Sequence, residues 1–561
     1  MKTSYIVVYN GNSQELEADL KKYSLDNYII LNEKIASIYI DENFDEEIFK
    51  QIDSIYDWSI SIPVSSLIKI REGVDNGDRP RVVSGADYID KNPYISPSGK
   101  NIIIAIIDSG INYLHPDFIK DDNTSKIISI WDQMSNKGTP PKGLKIGSEF
   151  KREEINKYIK ENDPSLSEDN IGSGTIAAGI AAGNGRLNKD FMGIAIDSEL
   201  VVVKLREYRG VYKEGKISYE LSDFLAAIKY IEDISKIYNK DIIINLTLAE
   251  KSKSLILTNF LDSFKFLTSP GIIIVGGAGD EGNTDIHYSG RIYNLNQIND
   301  ILIQIGNQKN LDVSVSNIGP DKISVSMISP SGELSYMNEY SPEEIIYNGR
   351  FNIEGTDYEL IYRYPWLKSG TEEAIIRLTG VKPGIWTLRL KGEFIVTGEY
   401  DAFLPNKDLI DDETRFINSN SFSTTTLFAT TENVITVGGF NNRTDSMWIG
   451  SSRGTLNQNP IKPDIVAPSV DIIGPYKNND YVKATGTGVG SSIISGVTAV
   501  LSDYLITQSK FGRTLLFTEV MKTYLMIGAD KQPIYTYPNV DMGYGVLNFR
   551  RTMEQMSKRL R

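Results

Sequence analysis

The first 70 residues alternate between short apolar runs and amphipathic polar stretches. Strands are predicted at Tyr5–Tyr9, Tyr28–Leu31, Ile35–Ile40 and Trp58–Val64, and helices at Gln14–Lys22 and Asp45–Ile52. The order β-α-β-β-α-β is typical of a ferredoxin-like split βαβ unit. Residues 71–84 follow, and their content of Gly, Pro, Arg and Asp predicts a linker.

From residue 85 the pattern changes to apolar runs rich in Ile and Val, separated by helical periodicity. Such runs are apolar on both faces, which predicts parallel strands covered by helices on both sides. The predicted strands are Ile102–Ile107, Leu200–Lys204, Ile242–Leu246 and Ile272–Val275, with a crossover helix at Ser218–Lys236. This pattern predicts a doubly wound, mostly parallel α/β domain.

Between residues 295 and 418 short alternating segments recur between turn signals such as SPSGE and VKPG. The predicted strands are Ile301–Ile305, Leu311–Val315, Ile323–Ile328, Tyr358–Tyr364, Ala374–Leu378, Ile385–Leu390 and Glu393–Val396. They predict an all-β, jelly-roll-like insert. The α/β pattern resumes at Val434–Val437, Asp464–Ala467 and a helix at Ser491–Leu505. Residues 85–294 and 419–561 are therefore predicted to form one domain that residues 295–418 interrupt.

Composition excludes several kinds of function. The 561 residues carry a net charge of −14, which argues against binding to nucleic acid or an anionic membrane surface. The absence of Cys excludes disulfides, thiolate zinc sites and a Cys nucleophile. The sequence predicts no membrane span and no signal peptide, so we expect synthesis in the cytoplasm.

Metal binding has little support in the sequence. With no Cys and only two His, the available ligands are oxygen atoms, which suit Ca²⁺. The acidic segments Asp121-Asp122-Asn123 and Asp280–Asp285 are interpreted as solvated loops. We therefore predict neither a metal site nor a cofactor, and calcium binding stays open.

Four motifs contain the candidate chemistry. They are Ile104–Asp117 (IAIIDSGINYLHPD), Gly172–Gly183 (GSGTIAAGIAAG), Ile272–Asn283 (IIIVGGAGDEGN), and Gly486–Gly496 (GTGVGSSIISG) with the preceding Lys462–Pro468 (KPDIVAP). Each alone has a structural interpretation: an Asp that caps a turn, a closely packed helix of small residues, or a plain Gly-rich loop. None contains the Lys of a P-loop.

Taken together and in this order, the four motifs resemble those of the subtilisin-like serine proteases, the subtilases. The resemblance covers most of residues 85–290 and 420–548. The N-terminal segment is similar to the subtilase propeptide, an intramolecular chaperone that normally cleaves itself off. The long β insert and a retained prodomain resemble the Csp subgroup, whose members act in spores of clostridia and their relatives.

The resemblance implies catalytic positions, and three of the four have changed. The triad Asp is retained as Asp108. Ser173 stands in GSGT where active members have GHGT, and Gly488 stands in GTG where they have the nucleophile of GTS. Asp280 stands in GDEG where the family has an oxyanion-binding Asn. The segment Thr247-Leu248-Ala249 matches the family's substrate-pairing strand.

These replacements remove the reagents of acyl transfer. A Ser hydroxyl becomes nucleophilic only when a base accepts its proton, and a hydroxyl at position 173 cannot serve as that base. Gly488 has no side chain, and an ionised Asp280 would repel a developing oxyanion. We expect His115 to bond locally, His287 to have no nucleophile to activate, and Ser491 and Ser492 to point elsewhere on the following helix.

The resemblance therefore implies a catalytically inactive pseudoprotease that regulates spore germination. It implies a spore location and two kinds of partner: an active Csp protease that activates a cortex-hydrolase zymogen, and a germinant such as a bile salt or an amino acid. The prodomain is expected to stay attached, with its tail around Ser65–Arg71 in the cleft as a product would lie.

Two other functions stay open at this point: an active subtilase that processes the zymogen, and a structural or chaperone-like spore protein. The ligand, the partner interface, the oligomeric state, the paralogue and the direction of regulation are also open.

Overall fold

The computed structural model describes residues 2–41, 44–92, 94, 96–250, 261, 263–337, 346–363, 371–456, 459–508 and 512–560. Its first part is a four-stranded antiparallel sheet, with strands Lys2–Tyr9, Tyr28–Ile30, Ile35–Asp41 and Ile55–Ile60. Helix Ser13–Lys22 and the 3₁₀ helix Glu46–Gln51 pack on one face of it. The second predicted helix is thus a shorter 3₁₀ element.

The opposite face of this sheet packs on the central domain. Ile6, Ile29 and Tyr39 share one buried core with Phe224 and Ile228 of helix Leu221–Tyr238. The sheet therefore buries apolar residues on both faces, one inside its own unit and one against its neighbour.

The predicted strand Trp58–Val64 is wrong in its extent, because the chain leaves the sheet after Ile60. Pro63 has no N–H to donate to a sheet ladder, and a second strand, Pro63–Ser66, forms outside the N-terminal sheet. It lies between Ile217–Glu220 and Leu248–Ala249, antiparallel to both. We call residues 63–71 the tail.

The central sheet contains seven parallel strands, which confirms the doubly wound, mostly parallel α/β fold. Across the sheet they are Ile127–Asp132, Glu199–Lys204, Ile102–Asp108, Asp241–Leu246, Ile272–Gly277, Ile435–Asn441 and Ile465–Pro468. Two short antiparallel strands, Ser148–Lys151 and Ser446–Met447, extend it. The four strands predicted before the insert are all present.

Helices cover both faces of this sheet. Helices Ser173–Ala182 and Thr487–Gln508 pack on one face, and Leu221–Tyr238 packs on the other. Further α-helices in the described parts of the chain are Pro80–Val83, Arg152–Glu161, Leu427–Thr430, Thr518–Gly528 and Phe549–Leu560.

Helix Thr487–Gln508 is long and apolar enough to cross a membrane by length and composition alone. However, 89% of its apolar window is buried inside the protein, as expected for a core helix. Its N-terminus meets the carboxyl ends of the parallel strands, which is where sheets of this kind place their sites.

The insert consists of two antiparallel sheets with a common apolar core. One contains His287–Arg291, Glu399–Phe403, Asn310–Ile318, Thr371–Thr379, Thr356–Arg363 and Ile346–Phe351, and the other contains Lys322–Ile328, Gly384–Phe394, Ile298–Ile305 and Arg415–Phe416. The two strands predicted at Ile385–Leu390 and Glu393–Val396 are a single strand. His287–Arg291 joins this sheet although it precedes the predicted boundary at 295, and Tyr364 lies outside the described residues.

Candidate active site

Asp108 is the last residue of a buried central strand, and its side chain is fully buried. Its Oδ1 accepts hydrogen bonds from the Ser109 N–H at 2.7 Å and from the Ser173 hydroxyl. Its Oδ2 accepts a hydrogen bond from the Thr247 hydroxyl. Burial raises the pKa of Asp108 to about 6, although these hydrogen bonds favour the charged form and oppose the rise.

Ser173 is the first residue of helix Ser173–Ala182, and it belongs to a network of buried hydroxyl groups. Its Oγ lies 2.9 Å from Ser109 Oγ, which in turn donates to Asp169 Oδ1 at 2.7 Å. The Asp169 carboxylate also accepts the N–H groups of Gly172 and Thr175. Asp108 therefore holds the Ser173 hydroxyl directly by accepting its proton in a hydrogen bond, and Asp169 holds the neighbouring Ser109 hydroxyl.

Gly488 lies in the first turn of helix Thr487–Gln508, where it faces the tail. Its N–H donates a 3.0 Å hydrogen bond to the carbonyl oxygen of Leu67. A Cβ built on Gly488 would lie 2.8 Å from that oxygen and 3.1 Å from the Leu67 carbonyl carbon. The peptide bond after Leu67 is thus the one that a side chain at position 488 would meet.

Asp280 follows the strand Ile272–Gly277, in the Gly-rich loop beside the start of the same helix. Its Oδ1 accepts two hydrogen bonds of 2.8 Å, from the N–H and the hydroxyl of Thr487. Its Oδ2 is buried and has no hydrogen-bond partner among the described residues. Burial raises the pKa of Asp280 to about 7, against the opposing influence of Lys69 and Thr487.

The tail runs through the cleft in an extended conformation and makes main-chain contacts on both sides of Leu67. The Leu67 N–H donates to Thr247 O at 2.8 Å, and Lys69–Arg71 pairs antiparallel with Lys483–Thr485. The segment Ser65–Arg71 thus lies along the cleft and continues past Gly488.

The side chain of Leu67 is 2% exposed, and it fills a pocket in which it packs against Gly277. A Cβ on Gly277 would lie 2.8 Å from Leu67 Cδ1, so the absence of a side chain there makes room for the leucine. Val64 is also fully buried.

The hydroxyl groups near Gly488 are turned away from the tail. Ser492 donates to Gly488 O at 2.8 Å and accepts from Asn245 Nδ2 at 2.9 Å. Ser491 Oγ lies 2.9 Å from both Gly488 O and Asn245 Oδ1, and its one proton is donated to either acceptor. Their oxygen atoms are therefore held inside the helix–sheet core, as expected from their place on the helix.

Both histidines are engaged elsewhere in the fold. His115 Nδ1 accepts from the Asp117 N–H at 3.2 Å, which is a local bond. His287 Nε2 lies 2.8 Å from Asp401 Oδ1, and its Nδ1 lies 3.1 Å from Asn420 O. The structure does not bring either ring to Asp108 or Gly488.

The described residues contain no group of three or more His, Cys, Asp and Glu side chains that could hold a metal ion. In the first acidic loop, Asp122 Oδ1 instead accepts the N–H and hydroxyl of Thr124. The second loop is not solvated at its start, because Asp280 and Glu281 are buried, with Asp280 accepting from Thr487 and Glu281 from Thr284.

The structure also places residues in the cleft that the motifs did not reveal. Leu67 lies against Gly488, the Thr247 hydroxyl bonds to Asp108, and Asn406 contacts the tail. Leu67 belongs to the tail that was expected in the cleft, and Thr247 begins the predicted substrate-pairing segment, although its bond to Asp108 was not predicted. Asn406 follows the last long strand of the insert, and no motif marks it.

Comparisons with known proteins agree with this architecture. A sequence profile described as the subtilase family matches residues 99–371 and 406–546. The chain is 25% identical to a subtilisin of Bacillus sp. (strain TA39) over 198 residues, which is 35% of this chain and 38% of that protein. It is 32% identical to a C5a peptidase of Streptococcus pyogenes over 107 residues, 19% of this chain and 8% of the relative. The chain thus spans well under half the length of these curated relatives.

Solved structures match over much more of the chain. The CspB protease of Clostridium perfringens is similar with a TM-score of 0.74 and 26% identity, over 85% of this chain and 98% of that one. The epidermin leader peptide processing serine protease of Staphylococcus aureus matches with a TM-score of 0.51 and 14% identity, over 98% and 99% of the two chains. The second likeness concerns the fold alone.

Proposed function

The chain belongs to the subtilase family, and on that premise we propose that it is a pseudoprotease, a subtilase scaffold that does not cut peptide bonds. The observation that carries this proposal is the arrangement around Asp108 and Gly488. The group that Asp108 holds is the hydroxyl of Ser173, and the group that faces the Leu67 carbonyl is a backbone N–H with no side chain beside it.

The chemistry of the cleft supports inactivity for three catalytic roles: the general base, the nucleophile and the side-chain donor to the oxyanion. A neutral hydroxyl does not accept a proton near neutral pH, so Ser173 offers no general base. Position 488 offers no nucleophilic oxygen, and Ser491 and Ser492 are bonded inside the core. Asp280 presents carboxyl oxygens where a subtilase needs a donor, and its ionised form would oppose an oxyanion.

The position of the tail supports the same proposal. Leu67 offers its carbonyl to the Gly488 N–H, and the chain continues beyond it. We propose that the prodomain is retained and that its tail blocks the cleft of this pseudoprotease.

Intact mass tests the loss of activity. Purified full-length protein, incubated without added protease, should remain one chain of 62.7 kDa. It should not react with a fluorophosphonate probe that labels a control subtilase. A new N-terminus at Ile68, or labelling that Asp108→Ala abolishes, would contradict the proposal.

A second candidate function is an active endopeptidase, and family membership together with the CspB protease likeness favours it. Incubation with a cortex-hydrolase zymogen separates the two functions. The pseudoprotease leaves the zymogen intact, whereas an endopeptidase processes it and loses this activity in the Asp108→Ala variant.

We further propose a biological role that rests on the resemblance to the Csp subgroup. As in its inactive CspC-like or CspA-like members, the protein would regulate spore germination by sensing a germinant or by controlling an active Csp protease. Calorimetry with bile salts and amino acids tests sensing, and pull-down of an active Csp protease from spore extract tests control. Normal germination of a deletion strain would count against the role.

A further inference from the structure

The cleft is partly covered by a segment that the insert contributes. Residues 404–411, which we call the strap, follow directly on the insert strand Glu399–Phe403. The Leu404 N–H donates to Ile286 O, and the Lys407 N–H donates to Glu281 Oε1 at 3.0 Å. These bonds fix the strap beside the loop that contains Asp280.

Asn406 of the strap joins the tail to the wall of the cleft. Its Nδ2 donates to Ser65 Oγ at 2.7 Å and to Ala249 O at 2.9 Å. Ser65 and Ala249 are directly paired across the strand contact, and Ser65 and Asn406 are 3% and 2% exposed. One buried amide group therefore bonds to the tail side chain and to the strand beside it, and a tail residue without a hydroxyl would leave a buried N–H unpaired.

The strap also meets the tail on the other side of Leu67. Asp408 Oδ1 lies 3.7 Å from Lys69 Nζ, and both side chains are partly exposed. Burial opposes the charged form of Lys69, but Asp408, Asp280 and Glu281 together raise its pKa. The wall of the cleft at this position is acidic and complementary to a cation.

We propose that the strap makes the cleft selective for the side chains on either side of the central leucine. The preferred occupant is an extended peptide with a small hydroxyl residue two positions before the leucine and a cationic residue two positions after it. Asn406 recognises the hydroxyl group by donating a hydrogen bond to it, and the acidic residues around Asp408 recognise the cation by charge. The inference rests on the proposed function only in that the tail must remain uncleaved.

The matched pair Ser65→Thr and Ser65→Val tests the first feature, because the two side chains have nearly the same shape and differ in the hydroxyl. The readout is hydrogen exchange at the Leu67 amide, measured on protein whose mass is intact. Ser65→Val should speed exchange about five- to a hundredfold, the cost of one unpaired buried donor, and Ser65→Thr should stay within about twofold of wild type. Amides of strand Ile102–Asp108 serve as the folding control and should not change.

A double-mutant cycle tests whether Asn406 is the residue that recognises the Ser65 hydroxyl. Asn406→Ala should also speed exchange at Leu67, and adding Ser65→Val should give little beyond the larger single effect. Equal exchange in Ser65→Thr and Ser65→Val, or effects that multiply in the double variant, would overturn the proposal.

Charge reversal tests the second feature. Lys69→Glu should speed cleavage of the segment 68–79 by an added protease several-fold at low salt, and the difference should shrink in high salt. Lys69→Arg should behave as wild type. An unchanged rate in Lys69→Glu would remove the cation from the recognition pattern. A chain found cut after Leu67 without added protease would instead contradict the proposed function.

Discussion

The backbone N–H of Gly488 donates to the carbonyl oxygen of Leu67, and the chain passes through the cleft without a side chain at the point of closest approach. This relationship places one peptide bond, Leu67–Ile68, opposite position 488, which the resemblance assigns to the nucleophile. It also identifies positions 173, 280 and 488 as the places where the proposed lost side chains can be put back by substitution.

Restoring the reagents should restore cleavage at this bond. The triple variant Ser173→His, Gly488→Ser, Asp280→Asn should cut itself, because position 488 directly faces the Leu67 carbonyl group. A Cβ there would lie 2.8 Å from the Leu67 carbonyl oxygen, so the tail must shift to admit the serine. The increase in the rate of self-cleavage should be large, because loss of the Ser or the His alone costs on the order of 10⁶ in rate in subtilisin. Mass spectrometry should find a new N-terminus at Ile68.

The matched control carries Ala instead of Ser at position 488, with the other two substitutions retained. It should remain intact at every time point. If both variants stay whole, the cleft has changed in geometry as well as in its reagents.

Asp280 should make the protein less stable as pH rises. Burial raises its folded pKa to about 7, above the ordinary value of 3.8, so the folded state binds the proton more tightly. The stabilisation is fully present below about pH 4, falls between pH 4 and 7, and is absent above pH 7. The loss is at most roughly 4 kcal/mol. Urea unfolding at a series of pH values measures it.

Asp280→Asn should remove that part of the pH dependence. The amide keeps an acceptor for Thr487 and places an N–H₂ group where Oδ2 has no partner. Other groups titrate alike in both proteins, so the difference between the two curves isolates Asp280. Parallel curves would contradict the assignment.

Leu67→Ala should destabilise the docked tail. The side chain fills the pocket against Gly277, and truncation of a buried leucine costs about 2–5 kcal/mol. Chemical denaturation measures the global effect, and cleavage of the tail by an added protease measures the local one. The control Leu295→Ala removes the same atoms from a side chain that is 61% exposed, and it should change stability by less than about 0.5 kcal/mol.

Tyr39→Phe should weaken the contact between the N-terminal sheet and the central domain. The Tyr39 hydroxyl donates to the buried carboxylate Asp223 at 3.0 Å, beside Arg206. Loss of this charge-assisted bond should cost about 1–3 kcal/mol in urea unfolding. Tyr56→Phe makes the same chemical change at a residue that is 57% exposed, and it should have no measurable effect.

The fold could be predicted where the local hydrophobic pattern was compatible with only one kind of secondary structure. Ile102–Ile107 and Ile242–Leu246 are apolar on both faces, so parallel strands between helices were the available arrangement. Prediction failed where pairing between distant segments determines the extent of a strand. Pro63–Ser66 pairs with strands that lie more than 150 residues away in sequence. The strand Gly384–Phe394 likewise continues across a gap in the apolar pattern, because neighbouring strands pair along most of its length.

The candidate site divides in the same way. Asp108, Ser173, Asp280 and Gly488 could be named as candidates because each lies in a local motif. Asn406 was missed because its importance comes from contacts with Ser65 and Ala249, distant in the chain, and an Asn after a strand has no distinctive sequence context.

Because the tail is covalently continuous with the domain that binds it, occupancy of the cleft is a unimolecular equilibrium. A short tether of this kind gives an effective concentration of about millimolar or more. A free peptide with the same intrinsic affinity would need to exceed that concentration before it displaced half of the tails. Release of the tail therefore requires either millimolar competing peptide or a change that weakens the tail's own contacts with the cleft.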